Sequence, residues 1–233
     1  MTATAHAWVI TGASRGIGLE FVRQLASRGQ KVVAGARDPR SASELAALAS
    51  KHESLVSVHP CDVASDDSVA AFAKKISGPV DVLVNNAGVY GKLQGLESLD
   101  FADAHATFET NALGPLRVTR ALLPQLLESD AKKLVHITSG MGSIQDNSSG
   151  GAYTYRMSKA ALNMANKSLS VDYARRGLVA VVMNPGWVQT DMGGRGAPTT
   201  VHESVSKMLE RIDGMTKADN GTFLDYKGGT FPF

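Results

Sequence analysis

The sequence predicts an α/β fold: a doubly wound parallel sheet of about seven strands with helices on both faces. Three observations predict it. Short, β-branched apolar runs alternate with longer stretches of helical periodicity along the 233-residue chain. Most of those runs are apolar on both faces, as strands covered by helices from either side must be. No internal repeat, low-complexity tract or Pro/Gly/Ser-rich linker interrupts the alternation. Strand–helix–strand units joined by right-handed crossovers build one continuous sheet, and a chain of this length can bury a single core. Residues 1–233 are therefore read as one domain.

Bulk properties narrow the function classes. Hydrophobic residues make up 43% and charged residues 20% of the chain, with a net charge of +2. That balance argues for neither a nucleic-acid nor a membrane-surface partner. A single cysteine, Cys61, allows no internal disulfide and no metal-ligand cluster, so no metal is expected. No apolar run approaches the roughly 20 residues needed to span a bilayer. The first residues show no basic stretch followed by an apolar core, so a cytoplasmic location is the expectation.

The first strand, 7–11, runs into Thr11-Gly12-Ala13-Ser14-Arg15-Gly16-Ile17-Gly18 and then a helix over 18–28 that Gly29 closes. Glycines between a strand and a helix permit a tight turn and let backbone N–H groups approach a pyrophosphate. The spacing is Gly-x-x-x-Gly-x-Gly, and such a turn can also be a plain structural bend. The second strand, 31–36, ends at Ala36-Arg37. A site built for NAD places a carboxylate there to accept from the ribose 2′-hydroxyl. A guanidinium at Arg37, with Arg15 as a second partner, suits a 2′-phosphate instead. NADP(H) is therefore expected in preference to NAD(H), against the alternative that both arginines are solvated surface charges. Asp38 is expected to point elsewhere.

Next come a helix over 41–51, a strand over 55–59, a helix over 66–76 and a strand over 82–85. A long helix over 101–127 contains Pro115, which predicts a kink or irregular turn between Asn111 and Pro115. The strand over 133–139 ends at Ser139, at the sheet edge where ligands collect in doubly wound folds. A helix over 155–176, closed by Gly177, opens with Tyr155-Arg156-Met157-Ser158-Lys159. Four residues of helix put the phenol and the ammonium on one face. A nearby cation is expected to lower the phenol's pKa from about 10 toward the working range. Tyr153, six residues from Lys159, falls on a different face. A strand over 179–184, a helix over 204–212 and a weaker strand over 222–225 complete the pattern. Between them, 190–200 is glycine-rich, and Met141, Trp187 and Met192 are read either as an apolar pocket lining or as core.

These motifs together resemble the short-chain dehydrogenase/reductase family along essentially the whole chain: Thr11 to Gly18, Asp62-Val63, Asn85-Asn86-Ala87-Gly88, Asn111, Ser139, Tyr155 to Lys159, and Pro185-Gly186. The resemblance implies a Rossmann fold and reversible hydride transfer between NADP(H) and a carbonyl or alcohol. It implies that Ser139, Tyr155 and Lys159 match the catalytic set and that Asn111 holds a water near the lysine. It further implies that Asp62 and Val63 lie along the adenine, that Asn86, Ala87 and Gly88 flank the cofactor, and that Lys159 binds the nicotinamide ribose. Pro185, Gly186, Val188 and Thr190 look like the segment beside the nicotinamide amide. The stretches Asn111-Ala-Leu-Gly-Pro, Met141-Gly-Ser-Ile, Lys167-Ser-Leu-Ser and Pro185-Gly-Trp-Val-Gln-Thr-Asp-Met are similar to the branch of sniffer-type carbonyl reductases and C-factor-like proteins. Homodimers or homotetramers through 101–127 and 155–176 follow from the same resemblance. The competing expectation is an NADP-binding redox-sensing or signalling protein with low turnover.

Overall fold

The computed structural model describes residues 7–92 and 94–233. Seven strands form one sheet: β1 (Ala7–Thr11), β2 (Lys31–Ala36), β3 (Val56–Pro60), β4 (Val82–Asn85), β5 (Lys133–Ile137), β6 (Val179–Asn184) and β7 (Phe223–Asp225). All neighbours pair in parallel, in the order β3-β2-β1-β4-β5-β6-β7. The chain winds outward from β1 to β3, then returns to the centre and winds the other way from β4. The reversal between β1 and β4 opens a crevice at the carboxyl ends of the central strands, where an α/β sheet binds its ligand.

Helices cover both faces: α1 (Gly16–Ser27), α2 (Ser43–Lys51), α3 (Asp66–Ala73), α4 (Phe101–Phe108), α5 (Gly114–Glu128), α6 (Tyr153–Asp172) and α7 (Val201–Asp213). Successive strand residues feed opposite cores. Trp8 and Ile10 of β1 join the cluster with α1 and α7, while Val9 between them joins the cluster with α3 and α5. That two-sided burial explains the continuous apolar runs.

Several boundaries differ from the sequence reading. The helix expected over 101–127 is α4 and α5 joined by a π turn, Glu109–Leu113. Pro115 lacks the N–H that would reach the carbonyl of Asn111 four residues back, so the irregularity falls where the proline predicts it. The strand β5 stops at Ile137, because the Ser139 side chain accepts from the Met141 N–H at 3.1 Å and starts a 3₁₀ turn, Gly140–Gly142. Helix α1 begins at Gly16, two residues before the expected start, since Gly16 takes a φ of +55° that carries the loop straight into the helix. Helix α6 begins at Tyr153 and ends at Asp172, with a separate 3₁₀ turn, Ala174–Arg176, before Gly177. Helix α7 is longer than expected because Thr200 caps it, accepting from the Glu203 N–H at 3.1 Å.

Candidate active site

The glycine loop and the loop after β4 meet across the crevice. The Thr11 hydroxyl accepts the N–H groups of both Asn86 and Ala87, at 3.1 and 3.2 Å. The Asn86 side chain donates back to the carbonyls of Thr11 and Gly12, at 3.0 and 3.1 Å. Asn86 therefore ties two loops together. A Cβ on Gly12 would come within 2.7 Å of the Ala87 backbone, and one on Gly18 within 2.2 Å of the Gly12 carbonyl oxygen. Only glycine fits at either place. The N-terminus of α1 carries no side-chain cap and no acidic residue in its first turn. Its backbone N–H groups and helix dipole thus suit a pyrophosphate.

Arg37 is exposed just past the end of β2, with no ion pair among the described residues. Asp38 turns away as expected, accepting from the Arg40 N–H at 3.2 Å. Arg15 instead pairs with Asp191 at 2.7 Å, with both side chains largely exposed. Ser14 is half-buried at the loop tip, and Ile17 packs against the core. Beyond β3, Asp62 accepts from the Ala64 N–H at 3.1 Å, and Val63 is buried against Gly114. Thr190 lies over the glycine loop, 3.4 Å from where a Gly16 Cβ would stand. Gly186, at φ +82°, allows Tyr226 to close against the turn after Pro185, and Val188 is buried beside Thr199.

Ser139, Tyr155 and Lys159 come together at the carboxyl end of β5. Tyr155 is only 7% exposed, whereas Tyr153 is 39% exposed, so the helix does separate the two phenols. The Ser139 side chain lies near enough to the Tyr155 phenol to favour its charged form. The Lys159 ammonium lies 5.8 Å from the Tyr155 ring centre and donates to the Ile137 carbonyl at 2.9 Å. Gly88 lies beside it: a Cβ there would stand 3.5 Å from the ammonium nitrogen, in ordinary contact. Asn111, fully buried on the π turn, spends its side chain on the Val89 backbone in both directions, at 2.8 Å each, and on the Ser158 hydroxyl at 3.0 Å.

One expectation is corrected. Burial pushes the Tyr155 phenol up to about 12, outweighing the effect of Ser139, with nearby Tyr90 adding to the rise. Burial also brings the Lys159 ammonium down to about 8. The sequence puts lysine and phenol on one helix face, but the lysine donates to the Ile137 carbonyl, and the phenol's pKa rises with burial. Desolvation is the larger effect.

Sequence reasoning missed several residues around this centre. The Tyr90 ring lies 4.4 Å from that of Tyr155, and its hydroxyl donates to the Met141 sulfur at 3.5 Å. Asn184 accepts from the N–H groups of Gly140 and Gly186, at 3.1 and 3.2 Å, bracing the turns on either side. The Gln145 N–H reaches the Phe233 carbonyl at 3.1 Å, fastening the last residues to the loop beyond Ser139. Trp187 and Met192 are exposed, which removes the core reading for both.

A dinucleotide-binding crevice beside a serine, a tyrosine and a lysine defines a class of nucleotide-dependent oxidoreductases. The model of the short chain dehydrogenase family matches residues 6–200. The C-signal protein of Myxococcus xanthus is 52% identical over 164 residues, covering 70% of this chain and 99% of that protein. Carbonyl reductase Sniffer of D. melanogaster has a TM-score of 0.94 at 31% identity, covering 99% of this chain and all of that one. The NADPH-bound carbonyl reductase from chicken fatty liver has a TM-score of 0.93 at 34% identity, covering 98% of this chain and 99% of that one. The chain belongs to the short-chain dehydrogenase family and is an oxidoreductase of that family.

Proposed function

We propose that the protein is an NADPH-dependent carbonyl reductase acting on small neutral aldehydes, ketones or quinones. The observation that carries this reading is the grouping of Ser139, Tyr155 and Lys159 at the sheet edge, directly across from the glycine loop. The bound nicotinamide would supply or accept the hydride at the carbonyl carbon. The chain's own residues do the rest. The Ser139 oxygen accepts from the Met141 N–H, which orients a hydroxyl proton shared between the Tyr155 phenol and a substrate oxygen. Tyr155, protonated through the neutral range, is suited to give a proton to a forming alkoxide, which favours the reductive direction. Lys159 keeps donors beyond the one spent on Ile137, and these suit ribose hydroxyls.

For the cofactor, Gly12, Ser14, Gly16, Ile17 and Gly18 with the α1 N-terminus form the pyrophosphate cradle. Asp62 and Val63 flank the adenine, Asn86 to Gly88 line the crevice, and Pro185, Gly186, Val188 and Thr190 stand at the nicotinamide end. Arg37 is the partner for a 2′-phosphate. NADP-bound relatives among the solved structures support this preference. Cofactor site and substrate site then share one sheet. No helix among the described residues is long and apolar enough to cross a membrane, which is compatible with the cytoplasmic expectation. Assembly through α4, α5 and α6 is the quaternary form we propose.

The test is NADPH oxidation with a panel of neutral carbonyls, alongside NADH, for the unmodified chain and for Arg37→Asp. Turnover with NADPH that Arg37→Asp loses or shifts to NADH is expected. Equal efficiency with both cofactors in the unmodified chain overturns the arginine argument. A second reading, a signalling protein that binds NADP with little turnover, draws on the name of the C-signal relative. Cofactor binding without oxidation across the whole panel would favour it.

A further inference from the structure

The proposed reaction uses Tyr155 and Ser139 but leaves without a task the residue that lies against the first and against the turn that carries the second. Tyr90 is half-buried two positions after Gly88, and the paired hydrogen bonds between Asn111 and the Val89 backbone hold its chain segment in place. Its ring meets that of Tyr155 at 4.4 Å with the planes inclined by 44°. Its hydroxyl reaches the Met141 sulfur at 3.5 Å, and the Met141 N–H holds the Ser139 oxygen at 3.1 Å. The ring therefore stretches from one oxygen-binding side chain to the turn that carries the other. A compound whose oxygen sits on Ser139 and Tyr155 would have this ring beside its carbon skeleton.

The surroundings restrict what that skeleton can be. Met141 is soft and adaptable, and Ile144, Trp187 and Met192 are exposed apolar side chains on the flanking loops. Nearby charges are already engaged. Lys92 pairs with Asp100 at 2.7 Å, and Arg156 donates to the Gly150 carbonyl, the Ser149 hydroxyl and the Met141 carbonyl. A flat, uncharged, conjugated molecule gains from an aromatic face and a thioether, whereas a short alkyl chain gains only from burial.

We propose that Tyr90 is the specificity-determining residue of this site, an aromatic wall that together with Met141 favours aryl and conjugated carbonyl compounds over short aliphatic ones. The inference rests on the carbonyl-reductase reading and deepens it. The test compares KM and kcat for benzaldehyde and hexanal in the unmodified chain, Tyr90→Phe and Tyr90→Leu, with thermal unfolding run in parallel. Leucine keeps apolar bulk and so guards against a folding failure that alanine would risk.

The unmodified chain is expected to favour benzaldehyde in kcat/KM. Tyr90→Leu is expected to raise KM for benzaldehyde by about threefold to tenfold, with hexanal changed less than about twofold. Tyr90→Phe retains the ring and is expected to retain the preference. An unchanged benzaldehyde-to-hexanal ratio in Tyr90→Leu overturns the proposal, as does a loss in Tyr90→Phe as large as in Tyr90→Leu. Failure of the unmodified chain to reduce either compound overturns the reductase reading and this proposal with it. An active enzyme indifferent to residue 90 overturns this proposal alone.

Discussion

Tyr155 and Lys159 carry opposite consequences of the same burial. The phenol, raised to about 12, holds its proton throughout the neutral and mildly alkaline range. The ammonium, lowered to about 8, is charged below that pH and neutral above it. Reduction should therefore run at a steady kcat from about pH 6 to 7 and fall by about half near pH 8 as Lys159 loses its proton, while Tyr155 remains an acid. A kcat that climbed between pH 8 and 10 would assign the work to a phenolate and contradict this assignment. Replacing Tyr155 with phenylalanine keeps the ring against Tyr90 but removes the proton. The variant should lose about 10²- to 10⁴-fold in kcat, with NADPH binding by fluorescence titration largely retained. Near-normal turnover would mean that the proton comes from elsewhere. This pair also marks a limit of sequence reading. Spacing on a helix tells which side chains share a face, but the pKa depends on burial and on neighbours such as Tyr90, which stands 65 positions away along the chain.

At the scale of elements, the glycine loop was the most legible feature, because each glycine answers a steric demand that a sequence can display. A methyl group at Gly18 would overlap the Gly12 carbonyl oxygen at 2.2 Å and the Asn86 amide at 2.6 Å. The first is backbone and cannot swing aside. Gly18→Ala should therefore push the loop off α1 and cost more than about 2 kcal/mol of stability, within the range for overpacked sites. Chemical denaturation would measure that loss, and a parallel cofactor titration should show weakened binding. An alanine variant as stable as the parent would show that the loop yields freely. Strands were legible for the related reason that two-sided burial leaves unbroken apolar runs, as in β6, where all six residues are buried. The π turn was legible only through Pro115, which announces a fault in the helix without saying which way the backbone relaxes. Tyr90 was not legible at all. One tyrosine after Gly88 and Val89 has no periodicity or spacing to single it out, and its partners stand 51 and 65 positions away.

For the whole molecule, the sheet order separates two kinds of surface. The carboxyl ends of the central strands face the crevice, and the helices on the α3–α5–α6 side present their outer faces away from it. On α6 those outer faces carry Met157, Met164 and Val171, each exposed by half or more and spaced seven residues apart, so they fall in one stripe along the helix. Phe101 of α4 and Leu113 at the end of the π turn are exposed as well. Side chains of this kind in a row are unusual on a surface that water alone contacts, and a two-fold arrangement would let each stripe cover its copy. The stripe shares α6 with Tyr155 and Lys159 but sits on the opposite face. The site should therefore tolerate changes there. Met164→Glu places a carboxylate in the middle of the stripe, where self-association would bury it next to its own copy. The unmodified chain should sediment as a dimer or tetramer at micromolar concentration. The variant should sediment as a monomer with turnover per chain within about twofold of the parent, since surface changes of this kind leave the fold nearly untouched. A monomeric parent would refute assembly through this face. A variant that stayed assembled would move the interface away from α6.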